Sequence, residues 1–458
     1  MSVFRRIIKG SGANAVTLTA KTSEQLFLVP ILLSAWSVDL YGEWLLISAI
    51  PVYFAMSDLG FLQAGSNELA RRASQESEEN VVRFFREFTA AFTSWSLLLF
   101  LVFCLAAILL PLSRWLHLSI LSPREATLTF LALALAALVS MNNAALVAGL
   151  RVRKLFHIGL LIRAAGAYGR IIATFFLVFF YSATPVEVAM LNLAVRCIEY
   201  ATCVVVLQTL SLPPSFAILK RRQEKLFPYM LIGLEFMLMP LAYALSLQGL
   251  TVVVGTIVGA AAVAVFSTHR TLARMVTTVL QMFVRPLRAE AGLLQRDEDI
   301  PALGRLLMRL SRITFWMSVT MGIPLMLFGG IFFRYWTHGR VDYVMPLFLL
   351  LLSASFLEGL WSIASSIRLG SNKHRPIVWG FFVISIVGIA LAVLLGKIIG
   401  NLGVASSVVL SNLAMCVLTI RATTSLLKLS TRQYLGNLVT PPVDEIRKMG
   451  RFLKRKIA

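Results

Sequence analysis

Apolar runs long enough to cross a lipid bilayer recur along nearly the whole of this 458-residue chain, and that repetition constrains the fold more than any other feature. Roughly twelve spans are predicted, near residues 13–36, 42–66, 87–112, 125–150, 155–181, 185–211, 227–248, 251–274, 308–333, 343–367, 376–396 and 403–427. Hydrophobic residues make up 58% of the chain and charged residues only 14%, about half the share of a soluble domain. The expected class is an all-α integral membrane protein, with no soluble domain left over.

The formal net charge of +21 raises the question of nucleic acid, but topology accounts for it better. With the N-terminus cytoplasmic, the inner segments carry 32 basic residues, whereas the outer side carries Arg114, Arg124, Arg334, Arg340 and Lys397. Such an asymmetry sets an N-in, C-in topology, and cations spread over every inner loop do not form a nucleic-acid patch. The four cysteines (Cys104, Cys197, Cys203, Cys416) all fall in apolar segments, without metal or disulfide spacing, and read as small packing residues. No metal site and no cofactor is expected. Arg5, Arg6 and Lys9 precede a first helix interrupted by Lys21, Glu24 and Gln25, so that helix reads as retained rather than as a signal peptide.

The outer loops are short, and the inner ones at 67–86 and roughly 285–307 occupy corresponding places if the chain is six helices plus six. Glu24 with Pro30, and Glu235 with Pro240, place an acid followed by a proline in the first helix of each half. The expected organisation is an N-terminal lobe at 1–211, a cytoplasmic linker at 212–226 with Pro213 and Pro214, and a C-terminal lobe at 227–427. Repeats of six helices are related by a pseudo-two-fold axis along the membrane normal. The tail, 428–458, places Ile446, Met449, Phe452 and Leu453 at helical spacing among basic residues, as a helix lying on an anionic leaflet would.

Six cations sit inside predicted spans: Lys21, Arg163, Arg170, Arg196, Arg270 and Arg274. A cation in hydrocarbon costs at least a few kcal/mol unless it faces a bundle interior, a wet cavity or a counter-ion. Asn14, Thr17, Lys21 and Glu24 share one helix face, as do Asn192, Arg196 and Glu199. At 1.5 Å per residue, Arg170 and Arg196 lie about 16 Å from the outer helix ends, and Lys21 and Arg163 about 12 Å from the inner surface. With a span at 251–274, Arg270 falls nearer the inner surface and Arg274 close to it. Arg196 with Glu199, and Lys21 with Glu24, read equally as local ion pairs or as cavity residues. Arg163 and Arg170 have no acid on their own helix, which favours a cavity role, whereas snorkelling is the alternative for Arg270 and Arg274. Glu235 and Glu358 have no basic residue within one turn, so each either carries a proton or pairs with a cation on another helix. Asp58 sits late in the second span, as a polar residue or a helix-end residue.

Twelve spans in two halves, the run Ser57-Asp58-Leu59-Gly60, the stretch VAVFSTHRTLARM from Val263 to Met275, and Arg285-Pro286-Leu287 followed by Gly304 and Leu306 carry a resemblance. On these the chain resembles the polysaccharide-transporter branch of the multidrug/oligosaccharidyl-lipid/polysaccharide (MOP) exporter superfamily, the Wzx-type O-antigen flippases. It departs from that family's Pro-Glu at the end of helix eight, where Arg285-Pro286-Leu287 stands. The resemblance implies a flippase of the bacterial inner membrane. Such a protein moves an undecaprenyl-pyrophosphate-linked oligosaccharide from the inner to the outer leaflet by alternating access, without ATP. No phosphate-loop motif is present.

Such a substrate cannot cross hydrocarbon unaided, and guanidinium groups suit its phosphates. The expected anion-binding set is Arg163, Arg170, Arg196, Arg270 and Arg274, with Lys21, Glu24, Asp58 and Glu199 in gating or ion pairs and Glu235 and Glu358 as coupling-ion sites. Membrane lipids, and with them a polysaccharide polymerase and a chain-length regulator, are the expected partners, and no nucleic acid. The competing readings are a cation-coupled multidrug exporter of the same superfamily, which would favour acidic, aromatic cavities, and a membrane polymerase or ligase, which would need a catalytic outer loop. A scaffold without transport would not need polar stripes.

Overall fold

The computed structural model describes residues 3–54, 61–109, 111–215, 237–296, 299–371 and 373–442, so Asp58, Glu235, most of the linker and the amphipathic end of the tail lie outside the described residues. No strand occurs among the described residues. In chain order the main helices are α1 (Val3–Ala35), α2 (Val38–Phe54), α3 (Phe61–Gln75), α4 (Glu78–Leu109), α5 (Pro123–Val152), α6 (Phe156–Tyr181) and α7 (Pro185–Thr209). They continue with α8 (Met237–Ile257), α9 (Ala260–Ala273), α10 (Met275–Arg296), α11 (Ile300–Trp336), α12 (Met345–Gly370), α13 (Arg375–Leu426) and α14 (Thr431–Val439). Eight helices among the described residues are long and apolar enough to cross a membrane, which makes this a multi-pass membrane protein.

Local chemistry sets several boundaries. Ser122 and Thr184 each open a helix with a capping box, closed by Glu125 and Glu187, and Pro123 and Pro185 follow at the first helical position. At the start of α11, Asp299 accepts a hydrogen bond from the Ala302 amide at 2.9 Å. The 52-residue α13 leaves helical geometry at Ile399 and at Gly400, whose φ is +57°. It folds back on itself there: a Cβ at Gly388 would lie 2.4 Å from Ser411 Oγ, and one at Gly403 would lie 2.1 Å from the Leu395 carbonyl oxygen. Two antiparallel helices thus meet where the sequence predicts two spans, 376–396 and 403–427.

One boundary differs from expectation in a way that matters. The sequence reading puts a break near 249–250 and a span over 251–274. The structure instead runs α8 on to Ile257 and turns at Gly259, with φ +112°, a conformation glycine adopts without strain. Both flanks of that turn are uniformly apolar, so hydropathy had no edge to detect. A π-helical turn, Leu245–Gly249, marks the place where the break was expected.

Among the described residues, three large apolar cores hold the bundle, beside a small contact of Ala20 with Ala164 and Ala167. One lies within residues 47–212 around Phe84, Phe85, Phe88 and Phe130, and a second within residues 239–438 around Leu303, Trp361, Ile367 and Tyr434. The third draws on both stretches, through Leu33, Trp36, Leu46, Phe266, Phe333, Phe348 and Val404. These residues flank the short turns at 36–37, 258–259, 337–344 and 399–400, so the first and second halves of the chain are joined at the short-turn end. There α2 runs antiparallel to α8, and a Cβ on Gly42 would lie 1.9 Å from the Ala260 carbonyl oxygen. The Trp336 indole donates to the Leu26 carbonyl at 2.7 Å. That carbonyl is free because Pro30, four residues on, has no N–H to give it. Glu43, fully buried on α2, accepts hydrogen bonds from the Ile120 and Leu121 amides at 2.8 Å and fixes the loop before α5.

Candidate functional site

Two polar clusters lie at a common depth inside the bundle. Glu24 and Arg170 stand about 16 Å from the C-terminal ends of α1 and α6, and Arg196 about 16 Å from the start of α7. Because α9 begins at Ala260, Arg270 also lies deep, about 15 Å from the short-turn end. This corrects the shallow, inner-side placement expected for Arg270 and Arg274, and its cause is the shifted turn at Gly259.

The first cluster joins α1, α6 and α7. Arg170 donates to Glu24 through Nε (2.6 Å to Oε1) and Nη2 (3.1 Å to Oε2), a bidentate pair. Its Nη1 donates to Glu199 Oε1 at 2.7 Å, and Arg196 Nη1 donates to Glu199 Oε2 at 3.1 Å. The side chains of Arg170 and Glu199 are 6% and 3% exposed, so each charge is held by its partners rather than by water. Gly166, one turn before Arg170, makes room for this arrangement, since a Cβ there would lie 1.8 Å from Glu199 Oε1. Two guanidinium groups face two carboxylates, and the cluster is formally neutral. Of the other expected residues in this half, Arg163 is half-buried on α6 and Lys21 is exposed on α1.

The second cluster lines a cavity of about 60 Å³ between α8, α9, α12 and α13, with room for a few waters. Arg274 donates to Glu358 on α12 through Nη1 (2.6 Å to Oε2) and Nη2 (3.2 Å to Oε1). Of the two roles open for Glu358 in the sequence, the structure shows pairing with a cation from another helix. Arg270 is held differently. Its Nη1 donates to the Leu247 carbonyl at 2.6 Å and its Nη2 to Thr251 Oγ1 at 2.9 Å. Leu247 lies in the π-helical turn, and its carbonyl also accepts from Thr251 Oγ1 at 3.1 Å, so carbonyl, hydroxyl and guanidinium form one small network. Arg270 has no carboxylate partner among the described residues. Opposite the arginines, Trp361 Nε1 donates to Asn412 Oδ1 at 2.9 Å, and Ser246 and Ser385 are hydrogen-bonded at 3.0 Å. The described lining therefore holds two guanidinium groups, one carboxylate and a wall of hydroxyl, amide and aromatic groups.

The sequence reading named every charged residue in both clusters. It missed Asn412, Ser246, Ser385 and Tyr243 as cavity residues, which are brought together only by the packing of α8 against α13. Serines and an asparagine at helical spacing carry no signal of which face is shared.

No family model matches the sequence, and no curated protein matches it. Solved structures do match it in fold. An inward-facing multidrug resistance MATE family transporter of the MOP superfamily superposes with a TM-score of 0.73 at 16% identity, covering 89% of this chain and 95% of that one. The lipid II flippase MurJ, in an inward closed conformation, gives 0.71 at 15% identity, covering 94% and 90%. A MOP superfamily transporter from Pyrococcus furiosus, described by a reverse polarity of its binding pocket, gives 0.62 at 15% identity, covering 94% and 98%. The chain thus shares the fold of MOP-superfamily transporters.

Proposed function

We propose that this protein is a flippase that moves an anionic lipid-linked glycan, an undecaprenyl-pyrophosphate-linked oligosaccharide of the O-antigen type, from the inner to the outer leaflet of a bacterial inner membrane. The observation that carries the reading is Arg270: a guanidinium deep in the bundle, hydrogen-bonded among the described residues to neutral acceptors, and next to a second guanidinium, Arg274, in one cavity. Leaving a positive charge uncompensated in such a place is costly unless an anion arrives to use it. Phosphate oxygens meet the planar donor set of arginine well, and the hydroxyl, amide and aromatic wall offers partners to an attached sugar.

On this reading Arg270 and Arg274 form the primary phosphate site. Arg170, Arg196, Glu24 and Glu199 tie α1, α6 and α7 together as a gating network, with Arg163 and Lys21 beside it and Asp58 in the same half. Glu235 and Glu358 serve the coupling ion. The protein transports without being an enzyme, and it hands its cargo to a polymerase and a chain-length regulator. A cation-coupled multidrug exporter is the second reading, favoured by the MATE fold match. It is disfavoured by a cavity in which cations outnumber acids among the described residues.

The test uses protein reconstituted in liposomes. A short-chain prenyl-pyrophosphoryl glycan should cross the bilayer faster with the protein present, and Arg270→Ala should remove most of that acceleration. If ethidium is moved instead and the glycan is not, the exporter reading replaces this one.

A further inference from the structure

The two clusters carry different net charges, and that difference has a consequence for coupling. A pyrophosphate that bridges a lipid and a sugar is a diester with two negative charges, fixed at any physiological pH. The described lining of the second cavity carries a net charge of one positive, from Arg270 and Arg274 against Glu358. The mismatch is one unit. The carboxylate also occupies the face of Arg274 that a phosphate would take, with both Nη atoms engaged on Glu358.

We infer that the substrate's pyrophosphate displaces Glu358 from Arg274 and that Glu358 takes up one proton as it does so, making proton and substrate bind together at this site. The inference rests on the anionic-substrate reading above. In the displacement, Arg274 exchanges carboxylate oxygens for phosphate oxygens, and a proton from the aqueous phase goes to a carboxyl oxygen of Glu358. The cavity then balances two guanidinium groups against two phosphate charges. Arg270 keeps its bonds to the Leu247 carbonyl and Thr251, which use only part of a guanidinium's five N–H donors.

The surroundings of Glu358 offer no competing acid among the described residues. From α9 it faces Arg270, from the junction of α9 and α10 Arg274, and from α8 Tyr243. From α13 come neutral Ser385, Ser407, Ser411 and Asn412, together with the Cys416 thiol bonded to the Leu357 carbonyl. Next to it, Gly359 packs against Leu280 of α10 and against Thr314 and Ser318 of α11.

The experiment is calorimetric titration of the detergent-purified full chain with a short-chain prenyl-pyrophosphoryl-N-acetylglucosamine, in buffers of differing ionisation enthalpy. The wild type should take up about one proton per ligand, and its affinity should rise by close to tenfold for each unit fall in pH. Glu358→Gln should bind with uptake near zero and no pH slope, and Glu68→Gln, outside both clusters, should keep the uptake. Binding by the wild type without proton uptake, or uptake that persists in Glu358→Gln or vanishes in Glu68→Gln, overturns the inference and leaves the function reading standing. Should Glu358→Gln fail to fold, as judged by its melting curve, a flat pH slope in the wild type overturns the inference alone. Absence of any binding by the wild type overturns both.

Discussion

The first cluster and the second cavity hold the same kinds of side chain at the same depth, and yet they are built on opposite principles. Around Arg170, two cations and two carboxylates close a neutral network across three helices. Around Arg270, two cations share one carboxylate among the described residues, and the excess is supported by a carbonyl, a hydroxyl and the face of the Phe266 ring. Deep arginine is therefore not a single sequence signal. Where acids from neighbouring helices neutralise it, it ties helices together; where they fall short, it leaves a place for an anion.

Removing the central cation of each cluster should separate the two principles most sharply. Arg170→Ala takes the bidentate partner from Glu24 and leaves Glu199 to Arg196 alone, and it should destabilise the protein by about 3 kcal/mol, read as a large fall in melting temperature. Arg270→Ala removes a charge that has no acidic partner among the described residues, so the melting temperature should hold or rise. The glycan-pyrophosphate affinity should fall about a hundredfold, or about 2.7 kcal/mol. If both variants melt alike, the contrast between the clusters fails. Gly166→Ala sharpens it further, because the added methyl collides with Glu199 and should loosen α6 from α7 at a cost of about 2 kcal/mol. A control substitution to Ala at the open Gly322 of α11, outside both clusters, should cost nothing measurable by the same melting assay.

The smallest effect concerns an ion pair outside both clusters. Arg71 and Arg72 hold the Glu68 carboxyl down to about 2, with the Arg71 hydrogen bond the main cause. Its stabilisation is complete above the ordinary carboxylate value of 4.5 and fades as pH falls towards 2. Because its main partner, Arg71, is half-exposed and so screened by solvent, Glu68→Gln should cost about 1 kcal/mol at neutral pH, and urea titrations of variant and wild type should converge in acid.

Much of this was legible in the sequence, for reasons that can be traced residue by residue. Helix starts at Ser122 and Thr184 are spelled out by capping boxes, and the α13 reversal by a gap in hydropathy around Gly400. The charged residues of both clusters stand out against apolar neighbours. What the sequence hid was partnership and depth. Whether Arg170 meets Glu24 depends on α1 packing against α6, a contact between residues far apart in the chain. The depth of Arg270 turns on one glycine, Gly259, in a stretch where every neighbour is apolar and hydropathy is flat. The role of Arg270 also depends on a π-helical turn, which has no sequence signature and supplies the Leu247 carbonyl.

The Trp336 indole and the carbonyl that Pro30 leaves free tie the joining of the two halves to hydration. While the halves are joined at the short-turn end, the Leu26 carbonyl has a donor. Once they part, it has none within its own helix, and in a dry hydrocarbon setting that vacancy costs several kcal/mol. Any separation at this seam would therefore have to admit water to that carbonyl rather than leave it dry.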